Sequence, residues 1–567
     1  MKKDVVSTGV KNNLPRTPPA LGAAERGRGA SISYQSSRVT LLGEGEGQKA
    51  LTPAPSREPP SDEKGPLSPH QRSNQAFQVR HKASLYQRRV PLPGHPTNGD
   101  DDAYAQHIAS YSKGLPHNAL GEVDPEAYAR LIAALSTGRS EHFEAVPLGG
   151  VHKLCNPQAA YAYALEGPDS HHLGMTVPPT FSSAETAAEM VELYWQALCR
   201  DVPYAAFPVD DRVGQACTEL MACSQYRGPR QNGQVTPACL FRGNTPSDLA
   251  GPPISQFLWQ DVPQGVLQVV QKARFPVVGQ DHLTAYEEWL AVQQGALPAG
   301  VTTTEEVPRH IRCGRDLAEY VLRDHPFQAF LNAALLLVSL GEAAFSSANP
   351  YHGWRTQRGE LTFGPCNVLD VVVRVASVAM KAAWYQKWLV HRRLRPEAMG
   401  GRIHLHMTGR TRYPLHPDVL HAGVLTRVYD RQGTYLLSQA APGGAPLHPA
   451  YPSGHAAVAG ACATVLKAFF KEAYVLPASV VASEDGQLLL PYEGAPLTVG
   501  GELHKLASNI ALAGVAAGTG FRSDAMEGMR LGEAVAIGFL RDLRGTYHEH
   551  FSGFTLTRLD GVEVNIR

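Results

Sequence analysis

In Ala450-Tyr451-Pro452-Ser453-Gly454-His455, a hydroxyl, a bare backbone and an imidazole stand just before Ala456 to Phe470, where apolar residues recur at helical spacing. Serine is a favoured N-cap, so Ser453 is read as the cap, with Gly454 and His455 in the first turn. Free N–H groups, the hydroxyl and the imidazole then meet at the positive end of a helix dipole, the outline of a tetrahedral-anion site. The same residues also describe an ordinary capped helix with a first-turn histidine, so the distinction rests on cations. Lys387, set among Trp384, Tyr385, Trp388 and Leu389, is in no setting for a solvated charge. Arg395 precedes Pro396, read as the helix stop, which leaves its fork free to turn toward an oxyanion. Arg392 and Arg393 read as a solvated face that complements a helix C-terminus.

These groups must be positioned by helices. Asp316 to Phe345 and Val368 to Val390 carry helical periodicity too long for strands, and Ala184 to Leu198, Ala456 to Phe470, Glu502 to Ala517 and Asp524 to Leu543 read the same way. Only Gly486 to Leu490 and Leu559 to Ile566, each beside an Asp-Gly turn signal, read as short hairpins. The expected class is all-α. Residues 1–82 are rich in Ser, Pro, Gly, Arg and Glu and read as a disordered tail or assembly arm, with ordered sequence from about Ala83. Residues 83–360 read as a helical half giving scaffold and pocket wall, and 361–567 as the helical half that carries the pocket.

The chain of 567 residues balances 52 basic against 52 acidic side chains, so no whole-chain field draws it to nucleic acid or an anionic membrane, and anion binding must be local. Eight scattered cysteines, without finger-like spacing, read as mostly buried thiols. Neither a signal core nor a membrane-length apolar run is seen, and the expectation is a soluble cytoplasmic protein. His404-Leu-His406 and His548-Glu-His550 would pair imidazoles on one side of an extended strand, but without a third ligand they read as surface or core histidines. Asp100-Asp-Asp102 and Asp210-Asp211 read as solvated or helix-capping. No phosphate loop, nucleophile elbow or dinucleotide fingerprint is present.

Lys387 to Pro396 taken with Tyr451 to His455 resembles the vanadium-dependent haloperoxidases of the red-algal and cyanobacterial bromoperoxidase type, in the superfamily that includes acid phosphatases. The resemblance runs from Ala103 to Arg567, through Lys113-Gly-Leu-Pro-His117, Gly121-Glu-Val-Asp-Pro125, Phe241-Arg-Gly243, Ser255-Gln-Phe-Leu258, Trp384 to Gly401 and Gly500 to Asn509. It implies two helical bundles and a homodimer or larger, shell-like homo-oligomer. It further implies a site in which a lysine and two arginines pair the oxygens of vanadate, with Ser and Gly giving hydrogen bonds. One histidine is acid/base and another is bonded to vanadium. Lys387, Arg395, Ser453, Gly454 and His455 match that pattern, His455 at the acid/base position, and His448 matches a nearby histidine thought to affect halide handling.

The last motif departs. The family pattern is an arginine, five residues, the metal-binding histidine, an aromatic and often Arg-Ser-Asp. This chain reads Gly514-Val-Ala-Ala-Gly-Thr-Gly520-Phe521-Arg522-Ser523-Asp524, with Gly514 at the arginine position and Gly520 at the ligand position. A lost bidentate arginine weakens anion affinity by about 1.5 to 3 kcal/mol. Without the imidazole, vanadate lacks its bond to nitrogen, and the phosphoenzyme route of the related phosphatases is closed as well. Arg522 is not read as a substitute, and His504, sixteen residues before Gly520, lies roughly 24 Å away along a straight helix.

Two glycines beside the surviving cations open room for a larger anion. The expected function is therefore a repurposed enzyme needing no vanadium. Lys387, Arg395, Ser453 and Gly454 would hold the phosphates of a phosphorylated or diphosphorylated small molecule, best a prenyl diphosphate. His455 would be the acid, and Trp384, Trp388 and Phe521 the wall. The alternatives are a weak vanadium-dependent haloperoxidase and a non-catalytic, oligomer-forming homologue.

Overall fold

Helical periodicity in the sequence becomes helix in space, and its interruptions become the corners that matter. The computed structural model describes residues 66–567, and Ser68–Arg567 form one compact unit. Most of the tail expected at 1–82 lies outside the described residues, but its last part is helical. Helix α1 (Pro69–Arg89) starts at a Ser68/Gln71 capping box and buries none of its residues. The further helices used below are α2 (Ala184–Cys199), α3 (Gly314–Arg323), α4 (Gln328–Ser339), α5 (Pro365–Tyr385), α6 (Pro396–Met407), α7 (Gly454–Phe469), α8 (Val499–Ala516) and α9 (Arg522–Arg544).

The core is built on α7, whose residues are nearly all buried, and α5, α8 and α9 pack around it. Small residues set the spacing. A Cβ on Gly460 of α7 would overlap the Met529 carbonyl of α9, and one on Gly532 of α9 would overlap the Ala457 carbonyl of α7. Each glycine costs its helix about 1 kcal/mol relative to alanine, offset here by backbone-to-backbone approach. Among the described residues three two-stranded antiparallel hairpins accompany the helices: β1 (Val262–Gln264) with β2 (Leu267–Val269), β3 (Val480–Ala482) with β4 (Leu489–Pro491), and, after α9, β5 (Phe554–Thr557) with β6 (Glu563–Ile566). The last two turn at Asp485-Gly486 and Asp560-Gly561. The first, around Gly265, is unforeseen because β2 has an exposed face throughout and lacks the alternation that marks a half-buried strand.

Two expected helices are broken. Asp316 to Phe345 divides into α3 and α4, because Pro326 pushes its predecessor out of the helical region and the chain turns at Asp324. The Val368 to Val390 helix ends α-helically at Tyr385 and continues as a π turn, Gln386–His391, closed by Arg392 at φ 39°. Pro396 is therefore not the stop of that helix. It is the first residue of α6, where its missing N–H costs nothing, and Arg395 sits just before α6.

His404 and His406 lie on α6 rather than on a strand, and their Nδ1 atoms accept from the Tyr435 and Tyr413 main-chain N–H groups. Asp210 caps its helix as expected, accepting from the Arg212 and Val213 N–H groups. All eight cysteines are free, and Cys155 and Cys366 are exposed. Among the described residues no helix is long and apolar enough to cross a membrane.

The π turn leaves one residue poorly served. His391 is buried edge-on to the Tyr451 ring at 4.9 Å, and among the described residues neither ring nitrogen has a partner. Burial, then Arg392, His95 and Arg393, push its pKa down to about 3. Between the ordinary value near 6.5 and that depressed one, the unfolded chain binds the extra proton, so stability falls as pH drops through 6.5. His391→Phe should raise the melting temperature at pH 7 by removing two unsatisfied nitrogens, worth about 1 to 3 kcal/mol. It should also lose roughly 2 kcal/mol less than the parent between pH 7 and pH 5. Thermal denaturation at the two pH values checks both, and equal acid sensitivity of the two proteins would contradict the assignment.

Candidate functional site

The cradle forms where the N-terminus of α7 meets that of α9. Ser453 caps α7, its Oγ accepting from the Ala456 N–H at 3.3 Å, while its own N–H donates to the Asp524 carbonyl at 2.9 Å. The Gly454 and His455 N–H groups have no protein acceptor among the described residues, so they remain available to an anion. Together with Lys387, Arg395 and His448 these residues line a cavity of about 180 Å³.

Lys387 comes from the π turn and is wholly buried. Its ammonium donates to the Pro449 carbonyl at 2.7 Å and the Ala450 carbonyl at 3.0 Å, leaving one of its three donors for the cavity. Burial, and next the Arg395 charge, hold its pKa well below the usual lysine range, a condition that a bound anion would relieve. Arg395 is equally anchored. Nε donates to the His448 carbonyl and Nη1 to the Thr519 carbonyl, both at 2.8 Å, and Nη2 lies 2.7 Å from His448 Nδ1. Burial and the neighbouring Lys387 and Arg395 push the His448 pKa well down, and because a guanidinium only donates, Nδ1 is the acceptor in its bond with Arg395.

His455 is about one third exposed toward the cavity. Its Nε2 stands 2.9 Å from Asp324 Oδ1, and that carboxylate is buried, with Oδ2 unpartnered. A buried carboxylate fixes the ring orientation, leaving Nδ1 as the nitrogen that can exchange a proton. Asp324 was missed in the sequence. Its signal was the Asp324-His325-Pro326 triplet inside an otherwise helical run, where the chain has to turn.

The remaining expected residues divide. Trp384 and Phe521 line the cavity, but Trp388 does not: it is fully buried in a separate cluster, edge-on to Tyr111 at 5.6 Å. Arg392 and Arg393 are not a solvated face. Arg392 pairs with Asp101, and Arg393 pairs with Glu189 at 2.9 Å and Asp524 at 2.8 Å while stacking on Phe521. Their spacing suggested a helix C-terminus, and the π turn redirects them inward. Arg522 is absent from the cavity and bound to Glu192, and His504 is engaged by Lys467 at 2.7 Å.

Gly514 and Gly520 both line the cavity and both have room. A Cβ on Gly514 would meet nothing nearer than Thr519 Oγ1 at 3.5 Å, and one on Gly520 nothing nearer than Asp524 Oδ2 at 3.6 Å. These are ordinary contacts, unlike the overlaps at Gly460 and Gly532.

Residues 422–547 match the family described as the VCPO second helical-bundle domain. A vanadium-dependent bromoperoxidase of Ascophyllum nodosum is 34% identical over 519 residues, covering 86% of this chain and 91% of that protein. One of Corallina officinalis is 32% identical, covering 83% and 92%. The homohexameric structure of the second vanadate-dependent bromoperoxidase from Ascophyllum nodosum superimposes with a TM-score of 0.85 at 28% identity, covering 92% of this chain and 94% of that one.

Position 520 does not fit vanadate bonded through nitrogen, because the glycine where the family pattern has its ligand supplies no donor; His455 Nε2 is engaged by Asp324 and His448 Nδ1 by Arg395. Because a Cβ at either glycine position makes only ordinary contacts, the double variant Gly514→Arg, Gly520→His should bind vanadate at least tenfold more tightly than the parent protein. Equilibrium dialysis with metal analysis reads this directly, and equal vanadium content in both would refute the reading of the two positions.

Proposed function

On the premise that this chain belongs to the vanadium-dependent haloperoxidase family, as 34% identity over 86% of its length shows, we propose that it is a vanadium-independent enzyme acting on a phosphorylated small molecule. The observation that carries the proposal is the combination of an anion cradle retaining Lys387, Arg395 and the α7 N-terminus with two open glycine positions beside them. The substrate class proposed is a diphosphate ester of an apolar alcohol, such as a prenyl diphosphate, of which the cavity of about 180 Å³ takes the diphosphate end. Lys387, Arg395, Ser453 and the Gly454 N–H hold the phosphates, and Trp384, Met380 and Phe521 face the adjoining carbons.

The chemistry balances within the chain. The allylic C–O bond breaks heterolytically and its electron pair leaves with the diphosphate, which the cationic cradle stabilises. His455, oriented by Asp324, protonates the leaving group. The carbocation then rearranges or cyclises and returns a proton to the neutral imidazole, giving an alkene. Incubation with prenyl diphosphates of several chain lengths, without divalent metal, should release diphosphate and hydrocarbon. His455→Ala should lower the rate by about 100-fold or more, in the range for loss of a general acid. Unconsumed substrate at every chain length would dispose of this reading.

A second reading is favoured by the names of the relatives: weak oxidation of bromide with vanadate held by hydrogen bonds alone. Bromination of a phenol dye with peroxide, bromide and added vanadate is its positive sign. The homohexameric neighbour supports a further proposal, that this chain self-assembles. Light scattering should give a multiple of the 61.2 kDa chain mass, and a monomer at micromolar concentration would oppose it.

A further inference from the structure

Two segments that carry the family resemblance, Phe241-Arg-Gly243 and Gly500 to Asn509, contribute nothing to the cradle. They meet instead at a second cavity of about 610 Å³, more than three times the first. Both cavities use α3 and α8 but on different residues. Leu317, Ser508, Asn509 and Leu512 line the second, whereas Val321, Ile510, Ala511 and Gly514 line the first.

One wall of the second cavity is aromatic. The Tyr204 and Phe207 rings lie 5.3 Å apart, and Phe207 meets Phe241 edge-to-face at 6.4 Å. Phe241 is held at φ 60°, a left-handed backbone that a bulky side chain rarely adopts, so its surroundings must impose it. The next residue does so. Arg242 donates to the Gly251 and Pro252 carbonyls at 3.1 Å, and to that of Asp248, tying residues 242–252 into a closed loop. Gly243 lets this loop reach α8, since a Cβ there would overlap Ser508 Oγ. The cavity is thus preformed.

Its polar lining is mostly satisfied from within. Asp248 Oδ2 accepts from Ser508 Oγ at 2.6 Å and from the Thr245 N–H at 2.9 Å, Asn509 bonds the Ser255 N–H and the Pro253 carbonyl, and Thr236 bonds Gln231. One cation, Arg242, and one carboxyl, Asp248, leave the lining formally neutral. The Tyr204 hydroxyl has no protein partner among the described residues, and burial pushes its pKa up, so it stays a phenol able to donate.

We infer that this second cavity binds a neutral, largely aromatic or polycyclic molecule of two or three rings, seated against Tyr204, Phe207 and Phe241 with one acceptor atom facing the Tyr204 hydroxyl. The size follows from scale: an apolar cavity of about 150 Å³ takes benzene, and this one is several times larger. The charge follows from the balanced lining: an anion drawn to Arg242 meets Asp248 as well, and a cation drawn to Asp248 meets Arg242, so neither regains its lost hydration. The inference is independent of the reaction proposed for the cradle.

The test uses the full-length protein and N-phenyl-1-naphthylamine, a neutral probe that fluoresces in apolar surroundings. Saturable binding at one probe per chain is expected. Ala238→Trp, at the exposed rim, should weaken it at least tenfold, whereas Gly514→Trp in the cradle should leave it unchanged. Amide hydrogen exchange in residues 236–251 should slow when the probe is bound, a readout that needs no variant. Neutral 2-naphthol should compete and anionic 1-naphthoate should not. Absent saturation, sensitivity to Gly514→Trp rather than Ala238→Trp, unchanged exchange with probe bound, or equal competition by the anion would each overturn the inference.

Discussion

Two backbones touch where α7 crosses α9, and the cradle depends on that contact. Gly460 and Gly532 remove the side chains that would hold the helices apart, so the main-chain carbonyls of Ala457 and Met529 take up the vacated space. With the helices so close, their N-termini converge and Ser453 donates to the Asp524 carbonyl. The free N–H groups of α7 therefore open onto the same cavity that Phe521 and Asp524 line. The anion site is a product of helix packing, and its side chains are fitted to a location that the main chains define.

The cationic side chains are held before any ligand arrives. Lys387 and Arg395 are fixed largely by carbonyl oxygens, of Pro449, Ala450, His448 and Thr519, rather than by carboxylates. Carbonyls orient a cation without cancelling its charge, and neither side chain forms an ion pair among the described residues. Arg393 shows the contrast. It is neutralised by Glu189 and Asp524 and acts as a strut between α2 and α9. Charge pairing thus separates the arginine that supports the site from the one that faces it.

Much of this was legible in the sequence, because most of the signals are local. The cap at Ser453, the long apolar periodicities and the two Asp-Gly hairpins follow from neighbours in the chain, and so do the helices they imply. The glycines at 514 and 520 were visible as departures from a motif. What escaped depends on where the backbone changes course. Nothing in Gln386 to His391 announces a π turn, yet that turn directs Arg392 and Arg393 inward and makes Pro396 a beginning instead of an end. Trp388 is expected with Trp384 and Phe521 in the cavity wall, but the turn faces it toward Tyr111. Asp324 was hidden inside a run read as one helix, and only the break before Pro326 brings its carboxylate to His455.

The room left around positions 514 and 520 bears on how such a protein could have arisen. Where a glycine is wedged between backbones, a change of residue strains the whole fold, and lineages are held to it. Here the space is slack, so side chains can come and go while the architecture stays indifferent. Affinity for a transition metal and the integrity of the scaffold are then separately inherited properties. A change at either position can then alter what the cavity binds while leaving the packing of the surrounding helices in place.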